Sequence, residues 1–144
     1  MSPINPTYVA TVTVTSGREG QAVSDDGGLN VQLRPPRRRG ASEGTNPEQL
    51  FAAAWGACFQ SAMLAAARRT GVDAADSTVT VQVALGPDAV GGYGLAAQIR
   101  VEVPGLDRAT VQQLAEAAHA QCPYSRATRG NIAVEVIAGE AGVA

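Results

Sequence analysis

The stretch NPEQLFAAAWGACFQSAMLAAARRTG, residues 46–71, decides how the rest of the chain is read. Asn46 suits a helix cap, Pro47 suits a first helical position that donates no hydrogen bond, and Glu48 places a negative charge at the positive end of the helix dipole. Gly71 supplies the stop, so the spacing predicts one helix from about Asn46 to Thr70. Between Leu50 and Ala67 it is apolar almost all round, with only Gly56, Gln60 and Ser61 interrupting. Such a helix is buried on every side or crosses a membrane. Alanine dominates the run, Gln60 sits near its centre and the flanking segments are amphipathic, so the predicted setting is a central helix between a sheet and a partner.

On the amino-terminal side, Tyr8, Ala10, Val12 and Val14 alternate with Val9, Thr11 and Thr13, the period-two pattern of a strand from Tyr8 to Val14. A turn follows at Ser16 to Gly20. Ala22 to Ser24 and Leu29 to Leu33 are short strands joined by Asp25-Asp26-Gly27-Gly28, and Arg34 to Thr45 is a long loop rich in Pro, Gly and Arg. On the carboxy-terminal side, Val79, Val81, Val83 and Leu85 form one alternating strand. Tyr93, Leu95, Ala97, Ile99, Val101 and Val103 form another, after a turn near Gly91-Gly92, with one face buried. Asp107 caps a second helix whose face runs Val111, Leu114, Ala115, Ala118 and on to Cys122, with Pro123 ending it. Ile132, Val134 and Val136 supply a last strand. The order of three strands, helix, two strands, helix, strand makes this an α+β protein.

With 144 residues, the chain is expected to form a single domain, residues 1–144, able to bury a substantial core. A net charge of -2 offers no field for a polyanion, which argues against nucleic acid as a partner. The cationic cluster Arg34 and Arg37 to Arg39 lies beside Pro35, Pro36 and Gly40 and reads as a solvated loop. There is no lysine, which excludes Schiff-base chemistry by a lysine side chain. The first residues lack the basic, apolar and small-residue succession of a secretory signal, which predicts a cytoplasmic protein with reduced cysteines.

Cys58 and Cys122 then admit four readings: apolar filler, metal ligands, a structural bridge or a redox pair. Metal is weakly supported, since His119 with the two cysteines makes only three ligands, and structural zinc sites use four. Placement separates the sulfurs. Cys122 falls at a helix C-terminus, where the dipole disfavours a thiolate, whereas Cys58 is mid-helix and receives little help from either end. Cys58 therefore needs a cation, and Arg18 in the first turn is a candidate.

The runs TNPEQLFAAAWGACF, residues 45–59, and CPYSRATRGNI, residues 122–132, resemble the organic hydroperoxide resistance proteins of the osmotically inducible peroxidase family. The resemblance covers nearly the whole chain. It implies that Cys58 is the peroxidatic sulfur and Cys122 the resolving one, with Glu48 and Arg18 as the activating pair. It also implies antiparallel sheets wrapped around long central helices in an intertwined homodimer. Trp55 stands where tyrosine is common in the family, and Arg126 where asparagine is common.

The implied function is reduction of alkyl or lipid hydroperoxides through a Cys58 sulfenic acid and a Cys58–Cys122 disulfide. An external dithiol, dihydrolipoamide or a lipoylated protein, reopens the bond, with no bound cofactor and no metal. Phe51, Trp55, Phe59, Met63 and Tyr124 are the expected apolar substrate-binding residues. Helix geometry adds that Glu48 and Cys58, ten positions apart, are separated by about 15 Å on a straight helix. Two helices crossing antiparallel near Ala53 bring Glu48 of one chain to Cys58 of the other. A non-enzymatic redox sensor and an apolar-ligand-binding module are the alternatives.

Overall fold

The structure is a computed structural model describing residues 3–139. The chain divides at Pro47 into two compact units. The first holds a three-stranded antiparallel sheet in the order β1 (Val12–Thr15), β2 (Gln21–Ser24), β3 (Asn30–Gln32), with a 3-10 turn at Gly17–Glu19. Its tight turns follow from composition. Ser24 Oγ donates to Asp26 Oδ1 at 2.7 Å, the Gly28 N–H donates to the same carboxylate oxygen at 2.9 Å, and Gly27 has φ 75°. These bonds hold the Asp26 carboxyl below its ordinary pKa, the Ser24 hydroxyl being the main cause. At Gly20 a side chain is impossible, because a Cβ would lie 1.6 Å from the Thr15 carbonyl oxygen.

Two expectations for this unit need correction. The first strand is shorter than the alternation from Tyr8 suggested, because its partner β2 ends at Ser24 and turns away, leaving only the Asp25 N–H to Thr11 C=O bond of 3.0 Å beyond the ladder. A strand lasts only as long as its neighbour, and Tyr8 and Val9 are exposed. The arginine cluster is also not uniformly solvated. The Arg34 guanidinium donates to the carbonyls of Glu19 at 2.8 Å, Gly20 at 3.2 Å and Leu33 at 2.6 Å, and Arg37 pairs with Glu43.

The second unit is built on α1 (Pro47–Thr70), whose bounds match the start and stop signals; Gly71 follows at φ 72°. After it come β4 (Thr78–Pro87), β5 (Tyr93–Glu102), α2 (Arg108–Gln121), α3 (Pro123–Thr128) and β6 (Ala133–Ala138). The α+β class is as expected. β4 pairs antiparallel to β5, but β6 runs parallel to β5, because the helical crossover returns the chain in the direction it left. At the start of α2 the Asp107 carboxylate accepts the Thr110 N–H at 2.7 Å.

Trp55, Phe59, Met63, Ala66 and Ala67 recur at helical spacing and form the buried stripe of α1. It packs in one core with Ile99, Val101 and Val103 on the β5 side and with Val111, Leu114, Ala115 and Ala118 of α2. Each fully buried large side chain here contributes roughly 1.5–3 kcal/mol. The helix is not buried on every side in the single chain: Ala53, Ala54, Ala57 and Ser61 are exposed. Only 28% of its most apolar stretch is covered, although by length and composition it could cross a membrane. Inward-facing positions of the hairpin also lose cover towards its tip, where Leu85 and Tyr93 are exposed. Truncation of Ile99, which has no exposed surface, is expected to lower the unfolding free energy by about 2–5 kcal/mol in Ile99→Ala, read from urea denaturation.

Candidate active site

Cys58 lies on α1 one turn after Trp55 and beside Phe59, at the edge of the buried stripe, and is half-buried for that reason. Cys122 reaches the same place from α2. The face that buries Val111, Leu114, Ala115 and Ala118 continues one turn further to Cys122, which has no exposed surface. The Cys122 N–H donates to the Ala118 carbonyl at 2.8 Å, closing α2, and the ψ of 123° that ends the helix is the extended conformation favoured before proline. Pro123 does more than end α2. It is the first residue of α3, and the Cys122 carbonyl accepts the Arg126 N–H at 3.0 Å, so Cys122 belongs to both helix ends. Proline at a first helical position was the signal for this extra helix.

Both cysteines are free thiols. The two side chains share one core cluster, and Cys122 and the backbone of Tyr124 both act on the Cys58 sulfur. Burial raises the Cys58 thiol above its ordinary pKa, and the hydrogen bond and charge of Cys122 raise it further, while the Tyr124 N–H pulls it down. Cys58 in the isolated chain is therefore a thiol at neutral pH, held beside the sulfur with which it can bond. Two adjacent thiols, one accessible and one sealed, can exchange electrons with an oxidant as a dithiol–disulfide couple.

The other expected residues are distributed as follows. Glu48 lies in the first turn of the same unbroken helix as Cys58, about 15 Å from it along the axis. Arg18 stands in the 3-10 turn of the first unit. Of the five expected apolar substrate-binding residues, Trp55, Phe59 and Met63 have no exposed surface and are core side chains in this chain, whereas Phe51 is partly exposed and Tyr124 is exposed. Phe51 packs edge-on against Trp55, with ring centroids 5.6 Å apart at 87°.

His119 precedes Cys122 by one turn, but among the described residues no group of three or more His, Cys, Asp and Glu comes together to hold a metal. Its Nδ1 is buried with no hydrogen-bond partner among the described residues, and burial, with Arg129 nearby, lowers its pKa. Ser125 was not anticipated. Its hydroxyl, without exposed surface, accepts the Trp55 indole N–H at 3.0 Å.

The site is a buried cysteine beside an accessible one on a mixed α+β chain, and comparison with known proteins gives the class to which the chain belongs. Residues 40–137 match the family model described as OsmC-like protein. The organic hydroperoxide resistance protein of Xanthomonas axonopodis pv. citri is 46% identical over 136 residues, covering 92% of this chain and 95% of that protein. OhrB of Bacillus subtilis, also an organic hydroperoxide resistance protein, is 41% identical over 90% of this chain and 96% of its own. A crystal structure of OhrB superimposes with a TM-score of 0.86, covering 93% of this chain and all of the other at 40% identity. The chain belongs to the OsmC-like family, in its organic hydroperoxide resistance branch.

Because Cys122 is among the causes that raise the Cys58 thiol, its removal has a definite sign. Cys122→Ala is expected to move the pH profile of Cys58 alkylation by iodoacetamide to lower pH. A midpoint that stays in place or rises would contradict the contact described.

Proposed function

We propose that this protein is a cysteine-based peroxidase that reduces organic hydroperoxides, and the observation that carries this reading is the contact between accessible Cys58 and sealed Cys122. The Cys58 thiolate attacks the distal oxygen of ROOH; the O–O bond breaks, the alkoxide takes a proton to leave as ROH, and Cys58 becomes a sulfenic acid. The Cys122 thiol displaces the sulfenic oxygen as water, forming the disulfide. An external dithiol of the dihydrolipoamide type, free or on a lipoylated protein, then reduces it by two exchange steps and is itself oxidised to the cyclic disulfide. The reaction needs no bound cofactor. A cytoplasmic setting suits a cycle that ends in two free thiols.

Burial holds Cys58 protonated in the isolated chain, so the working enzyme needs a cation to create the thiolate, the role assigned to Arg18, with Glu48 as the carboxylate that orients it. A straight helix keeps Glu48 from the Cys58 of its own chain, and the partner subunit of a homodimer is the source that remains. Support comes from the uncovered small-residue side of α1, where Ala52, Ala53, Gly56, Ala57 and Gln60 with Val79, Thr80 and Val81 line a groove of about 440 Å³. Small residues allow a second helix to approach closely. Phe51 and Tyr124, the two accessible members of the aromatic and apolar set, are assigned to the alkyl group of the substrate, with Trp55, Phe59 and Met63 backing them from the core.

Steady-state turnover of tert-butyl hydroperoxide with dihydrolipoamide tests the reading. Cys58→Ser should abolish turnover, and Cys122→Ser should stop the cycle after one sulfenic acid per chain; continued turnover by the Cys58 variant would sink the assignment. A thiol switch would instead react slowly and not turn over at all. The shared site has its own check. Mixing Cys58→Ser with Glu48→Gln subunits under exchange should restore about a quarter of native turnover, because half the dimers are mixed and each holds one complete site. No recovery in exchanged mixtures would place Glu48 elsewhere.

A further inference from the structure

Four residues form a frame around the proposed redox centre. Trp55 precedes Cys58 by three positions on α1, and Ser125 follows Cys122 by three positions on α3. One helical turn therefore ties each cysteine rigidly to its companion. The two rails are joined twice, once by the contact between the Cys58 and Cys122 side chains and once by the Trp55 Nε1–H to Ser125 Oγ bond of 3.0 Å. Trp55 and Ser125 both have no exposed surface, so no water competes for this bond. Each end is fixed in turn. The Trp55 ring is packed edge-on by Phe51, and the Ser125 carbonyl accepts the Arg129 N–H at 3.0 Å and the Thr128 hydroxyl at 3.1 Å.

We infer that the Trp55–Ser125 hydrogen bond is a positioning clamp that holds the Cys122 segment against Cys58 and so sets how readily the disulfide closes; this rests on the peroxidase reading above. The step concerned is Cys58–SOH plus Cys122–SH giving the Cys58–Cys122 disulfide and water. A disulfide tolerates only a narrow range of Cα separations, and sulfurs held near that range before oxidation have a high effective concentration for each other. α1 and the α2–α3 junction are distant in sequence, and van der Waals packing, which brings them together, is not directional and leaves their fine register to be set. A directional bond one turn from each sulfur sets that register. Trp55 and Ser125 touch neither peroxide nor sulfur in this role; they act through the two cysteines.

The test equilibrates the full-length reduced protein with mixtures of reduced and oxidised dithiothreitol and quantifies the Cys58–Cys122 bridge after acid quenching. Here the protein dithiol is oxidised as dithiothreitol disulfide is reduced, with no peroxide involved. Ser125→Ala and Trp55→Phe are each expected to lower the effective concentration of the pair roughly tenfold, and the double variant no further, since both remove one interaction. A general loss of stability would lower the unfolding temperature without moving this equilibrium. The one tryptophan allows a second measurement on the native protein, in which its indole N–H should exchange slowly with solvent in both redox states. Equal bridge strength in native protein and Ser125→Ala, losses that multiply in the double variant, or fast indole exchange would overturn the clamp while leaving the peroxidase reading standing. A native chain that turns over no hydroperoxide contradicts that reading instead.

Discussion

Burial of one stripe of α1 is the constraint on which the second unit depends. Trp55, Phe59 and Met63 must face β5 and α2 to leave water, and that rotation fixes where every other residue of the helix points. Cys58 sits at the margin of the stripe, accessible but backed by core. The same core demand sets the rotation of α2, whose buried face ends at Cys122. The two sulfurs meet because two apolar faces meet, and the proposed redox centre is positioned in the first place by packing.

That arrangement creates an electrostatic tension. A sulfur placed against a core is desolvated, and desolvation favours the thiol over the reactive thiolate. The neighbouring Cys122 sharpens the conflict, since it too raises the Cys58 pKa. In the proposed cycle the feature that makes disulfide closure easy thus makes the initial attack hard, and an external charge is proposed to reconcile them. An arginine, always protonated and able to engage sulfur and carboxylate together, answers that need. The small-residue side of α1, left open in one chain, is where a second chain would deliver the carboxylate.

Much of this was legible in the residues and some was not, for identifiable reasons. The limits of α1 are written locally, in Pro47 at its start and Gly71 at its end, and Asp107 marks α2 equally plainly. The first strand was overread because alternation at Tyr8 to Thr11 says nothing about whether a neighbour is there to pair with it. Pro123 reads locally as a stop, yet proline opens helices as readily as it closes them, and so α3 and Ser125 are not legible from it. Burial of Trp55, Phe59 and Met63 was equally invisible to a motif reading, because an aromatic pattern around a cysteine looks the same whether it lines a pocket or fills a core. Arg34 reads from its neighbours as part of a solvated cluster, and only the folded loop brings its guanidinium to the carbonyls of Glu19, Gly20 and Leu33. The cysteines themselves were plain from the start, whereas their contact depends on two helices far apart in sequence.

In the proposed cycle one chain carries both the attacking and the resolving sulfur. Peptide mass mapping without reduction, after one equivalent of cumene hydroperoxide per reduced chain, tests it most directly. The expected product is a single cross-linked peptide pair joining Cys58 to Cys122 of the same chain, with the loss of two hydrogens. Unreacted thiols, or cysteines joined between chains, would contradict it.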